Sequence, residues 1–97
     1  PYYVIKPEYT GEVVNVKDTL CLQIENNYSS ATNQFTYTIS NLANNKTSAQ
    51  VKLNVANNQG MIRVMLPLQK SVVGTGEPGM LVLNDYKRYY YISFKRN

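Results

Sequence analysis

Apolar residues at every second position are the feature that most constrains what this chain can fold into. Leu20, Leu22 and Ile24 alternate with Cys21 and Gln23, Phe35, Tyr37 and Ile39 with Thr36 and Thr38, and Tyr90, Ile92 and Phe94 with Tyr89, Tyr91 and Ser93. Successive side chains of an extended chain point to opposite faces, so this pattern sends one face to a core and the other to water. A helix needs a longer repeat, and no stretch carries it convincingly. The window Asn41 to Gln50 has some helix formers, but its Asn and β-branched residues argue against one.

The pattern breaks where turn residues cluster. Tyr2 to Lys6 reads as an extended opener ended by Pro7, and Val13 to Val16 as a second short run after Gly11. Thr19 to Glu25 and Gln34 to Ser40 are strands separated by the polar loop Asn26 to Asn33. Val51, Leu53 and Val55, then Ile62, Val64 and Leu66, read as the arms of a hairpin turned at Ala56 to Gly60. Pro67 ends that arm, because proline cannot donate to a ladder. A loop from Gly74 to Gly79, with three glycines and a proline, precedes a last hairpin whose arms are Met80 to Asn84 and Lys87 to Lys95.

Seven or eight short strands predict an all-β chain, an antiparallel immunoglobulin-like sandwich of about seven strands, with a small β-barrel as the alternative. The Cys and Trp marks of true immunoglobulin domains are absent from the sequence. Ninety-seven residues suffice for one core, so residues 1–97 are expected to form a single domain. Charged residues make up 16%, below the usual quarter, and Asn, Thr, Ser and Gln take their place. That exchange is common in surface and extracellular β proteins, and an extracellular, cell-surface or periplasmic location is the expectation. The sequence starts at Pro1 without an initiator Met, as a processed product or excised domain would. No run approaches the roughly 20 apolar residues of a membrane span. Cys21 is alone, so no intrachain disulfide forms.

Catalysis is not expected. The chain has no histidine, which removes the commonest general base, the Ser-His-Asp and Cys-His arrangements and most transition-metal sites. Its six carboxylates, Glu8, Glu12, Asp18, Glu25, Glu77 and Asp85, are scattered. Cys21 with Met61, Met65 and Met80 offers the soft ligands of a copper(I) site, but without cluster spacing, so no metal or cofactor is expected. The run Gly74-Thr75-Gly76-Glu77-Pro78-Gly79 lacks the Lys-Ser/Thr and the following helix of a phosphate-cradling loop.

Binding is the remaining class. Tyr86-Lys87-Arg88-Tyr89-Tyr90-Tyr91 offers stiff amphipathic rings beside cations, a combination enriched at protein interfaces. Alternation sends Tyr90 inward and leaves Tyr89 and Tyr91, with Lys87 and Arg88, for a partner. The loop residues Gly74, Thr75, Gly76 and Glu77 form a second candidate address at one end of a sandwich. The expected function is therefore a non-catalytic protein-interaction or structural module of a cell-surface, secreted or envelope-associated assembly, partnered by a protein or a neighbouring domain. Single-stranded nucleic acid is an alternative for a small barrel, since bases stack on aromatics between cations. It is disfavoured, because Lys87, Arg88, Lys95 and Arg96 sit at the two ends of one strand and form no basic stripe. A loop-inserting protease inhibitor is a further alternative. Strand pairing with a neighbour is open to the last strand, if it lies at an edge, and to Tyr2 to Ile5. The triplets Asn27-Tyr28-Ser29 and Asn45-Lys46-Thr47 fit the N-glycosylation pattern, which short Asn-rich sequences also meet by chance.

Overall fold

A computed structural model describes residues 2–5, 12–26, 33–55, 60–84 and 89–97, with backbone alone at 12, 13, 25, 26, 33 and 55. Eight strands follow one another: β1 Tyr3–Ile5, β2 Glu12–Val16, β3 Thr19–Asn26, β4 Asn33–Asn41, β5 Val51–Val55, β6 Gly60–Pro67, β7 Pro78–Asn84 and β8 Tyr89–Arg96. They form two sheets, one in the order β1-β3-β6 and one in the order β2-β8-β7-β4-β5. The described strands do not close into a barrel, which corrects the barrel alternative.

Alternation places the core where the sequence pattern predicts. Leu20, Leu22, Ile24, Ile62, Val64 and Leu66 line the smaller sheet's inner face, and Phe35, Ile39, Leu81, Leu83, Ile92 and Phe94 line the larger one's. All are buried, and each such side chain contributes about 1.5–3 kcal/mol on leaving water. Window 41–50 contains turns and one isolated bridge, Ser40 to Thr47, and no helix, as its composition predicts.

Three expectations about pairing need correction. The sheets are mixed and not purely antiparallel, because β1 runs parallel to β3 and β2 parallel to β8. Parallel neighbours need a long connection, and both have one: β1 reaches β3 by way of β2 in the other sheet, and β2 meets the last strand of the chain. The expected hairpin between 51–55 and 62–66 does not form. β5 pairs with β4 in one sheet and β6 pairs with β3 in the other, so the chain crosses the sandwich between them. Period-two alternation says which face turns inward, and both arrangements satisfy it. The last strand lies between β2 and β7, and β2 occupies its edge from Ile92 to Arg96, whereas the opener β1 does lie at an edge. The β7–β8 hairpin does form, in register from Pro78–Lys95 to Asn84–Tyr89.

Candidate binding surface

β8 is the second strand of the five-stranded sheet, between β2 and β7, with Tyr90, Ile92 and Phe94 turned into the core. The same geometry turns Tyr89 and Tyr91 outward, where they are 59% and 37% exposed. Their ring centroids lie 6.3 Å apart with planes only 21° from parallel. Across the ladder Asn84 faces Tyr89 and Val82 faces Tyr91, and Thr36 and Thr38 of β4 continue the two rows. Thr36 Oγ1 donates to Asn84 Oδ1, and Gln50 Nε2 donates to Thr36 Oγ1 at 3.4 Å. The face is thus an aromatic pair bordered by hydroxyls, amides and one aliphatic side chain. Lys87 and Arg88, expected beside these rings, lie outside the described residues.

The glycine-rich segment behaves differently. Gly74 N–H donates to Glu77 Oε1 at 2.6 Å, Gly76 N–H to Arg96 O at 2.7 Å, and Glu77 N–H to Gly74 O at 3.0 Å. Arg96 N–H returns a bond to Glu77 O at 3.0 Å, so the turn is tied to the end of β8. Three backbone donors that an anion would need are already engaged within the protein. Thr75 and Gly76 remain exposed. From this turn to Tyr89 the whole length of β8 intervenes, about 23 Å at strand rise. The two candidate addresses do not form one site.

Arg96 is the functionally placed residue that charge-based reading misassigned. It counts among the cations at the ends of the last strand, yet only 2% of it is exposed. Its Nη1 donates to Leu68 O at 2.7 Å and weakly to Val73 O at 3.4 Å, and its Nη2 reaches Asp18 Oδ1 at 2.9 Å. The parity of Tyr90, Ile92 and Phe94, carried two residues further, already sent it inward.

The soft-ligand set is divided. Cys21 and Met65 are in register across β3 and β6 on the outer face of the smaller sheet, while Met80 lies on the outer face of the larger one beside Ser93. Among the described residues no three His, Cys, Asp or Glu side chains gather as metal ligands, and no helix is long and apolar enough to cross a membrane. Comparison with known proteins finds no family model that matches this chain, no similar curated protein and no similar solved structure.

Proposed function

We propose that this chain is an immunoglobulin-like, non-catalytic module of a cell-surface, secreted or envelope-associated assembly, and that it binds a protein partner through the outer face of its five-stranded sheet. The observation that carries the reading is the exposed, nearly parallel Tyr89–Tyr91 pair on the outer face of that sheet. The fold gains little from leaving two aromatic rings in water, whereas a partner gains contact area at low entropic cost. The hydroxyl and amide rows beside the rings supply the polar rim such contacts use. For the fold type, the support is the strand order: β3 and β6 in one sheet with β8, β7, β4 and β5 in the other follow the immunoglobulin arrangement. The parallel β1–β3 pair departs from it.

Gly74, Thr75, Gly76 and Glu77 lose ground as the binding address because their turn is internally bonded, and the inhibitor alternative loses ground with them. Nucleic acid loses one of its four flanking cations to the interior at Arg96. The test replaces Tyr89 and Tyr91 by serine together and follows co-purification of the native assembly from source cells alongside thermal unfolding. Loss of the assembly with an unchanged fold supports the face as the interface. An unchanged assembly overturns it, as does an oligonucleotide retained with a steep salt dependence.

A further inference from the structure

The two sheets differ in width, three strands against five. Where the smaller sheet ends at β6, the larger one continues to β5, and a cleft between them is lined by Tyr37, Ile39, Val51, Pro67 and Val72 together with the polar Ser48 and Gln69. Val51 sits on the core-facing side of β5, in register with Tyr37, yet it is 39% exposed. Leu53, in register with Phe35 on the same side, is only half-buried. These inward-facing side chains have incomplete cover from the opposite sheet.

The strand bordering the gap is an unguarded edge. β6 pairs with β3 at every position from Thr19–Pro67 to Asn26–Gly60 without a bulge, and among the described residues no strand pairs with its other side. Exposed edges in native proteins are kept short, charged, bulged or interrupted by proline. β1 has three residues, and β5 has five and carries the exposed Lys52, but β6 runs for eight. Pro67 guards only its end. Its one charge, Arg63, is drawn the other way: the guanidinium lies 4.7 Å above the ring of Tyr2, which precedes β1 on the far side of the sheet.

We infer that the free edge of β6 accepts an added strand, an extended segment of an acidic partner protein whose inward side chains cover Val51 and Leu53. Backbone pairing supplies the ladder and alternate apolar side chains enter the gap, as in other strand additions. Charge selects the partner. Lys52 and Lys70 are exposed cations on this flank, and among the described side chains the carboxylate near the end of β6, Asp18, is already paired with Arg96. A second copy of the chain, with a net charge of +4, would bring the same cations to the seam.

The probe is a fluorescein-labelled peptide of about nine residues, alternating valine with aspartate or threonine, long enough to match one strand. Anisotropy titration is expected to give micromolar binding, with slowed hydrogen exchange at the amides of β6. Val51→Lys should weaken binding about tenfold or more, and N-methylation of alternate peptide amides should abolish it. Tyr89→Ser with Tyr91→Ser should leave peptide binding unchanged, which separates this edge from the tyrosine face. Equal binding of the N-methylated peptide overturns the proposal, as does absence of binding up to about 1 mM. Protection of the β6 amides without peptide, in a chain that sediments as a dimer, overturns it in favour of a second copy.

Discussion

Arg96 Nη2 lies 2.9 Å from Asp18 Oδ1, joining the end of the last strand to the turn before β3 across 78 positions of sequence. The pair is lopsided, with Arg96 2% and Asp18 67% exposed. Water screens the carboxylate, so most of what Arg96 contributes comes from its bonds to the buried carbonyls of Leu68 and Val73. Arg96→Ala is expected to lower stability by about 2–4 kcal/mol, since it strands those carbonyls and empties a buried volume. Asp18→Asn should cost less than about 1 kcal/mol. Urea unfolding of both variants checks this, and equal losses would mean that the ion pair itself dominates.

Alternation made the facing of most described core residues legible, because a one-residue slip would expose a whole strand's apolar set. Neighbour choice was not legible in the same way. Val51 and Leu53 turn inward whether β5 pairs with β6 or with β4, and long-range packing decided for β4. Tyr89 and Tyr91 were readable as an outward pair by parity alone. The closing of the glycine turn was not, because it depends on Arg96 O, a group twenty residues further along the chain than Gly76. The same parity, extended two residues beyond Phe94, turns Arg96 inward, but the last strand reads only to Lys95 in the sequence, and the carbonyls that satisfy Arg96 come from the distant Leu68 and Val73.

Two glycines near that turn should respond oppositely in mechanism. A Cβ on Gly79 would meet the ring of Phe94, 2.7 Å from Cε2 and 2.9 Å from Cε1, and that ring is locked in the core. Gly79→Ala is therefore expected to cost about 2–4 kcal/mol through overpacking. Gly76 has open space around it but a φ of +79°, so Gly76→Ala costs only the strain of that backbone, about 1 kcal/mol. Adding Phe94→Leu should recover part of the loss at Gly79 and none at Gly76, which thermal unfolding of the double variants measures.

Glu77 links the turn to pH. The bond from Gly74 N–H holds its carboxyl below the ordinary value of 4.5, the Asn41 side chain adds a second bond, and Lys46 a smaller attraction. A carboxylate whose pKa is lower folded than unfolded stabilises the protein above the unfolded pKa and stops doing so as pH falls through the folded one. Stability should therefore decline on acidification below the ordinary carboxylate range, and Glu77→Gln should flatten that part of the profile. Denaturant midpoints measured across the acid range decide it, and parallel profiles for the two proteins would remove Glu77 from the account.

Neighbouring tyrosines on β8 offer the sharpest contrast. Tyr90 is 3% exposed and packs in the core, so Tyr90→Ser empties a large buried volume and should cost about 3–5 kcal/mol. Tyr89 and Tyr91 share one near-parallel ring contact on the outer face, worth about 0.5–1.5 kcal/mol beyond burial, and the double serine variant should lose little more than that. Identical chemistry at consecutive positions then gives a large loss of stability at the middle residue and a small one at its two neighbours. Calorimetry of the three variants reads the difference directly. If the double variant unfolds as readily as Tyr90→Ser, the outer rings belong to the fold and the proposed binding face must move elsewhere.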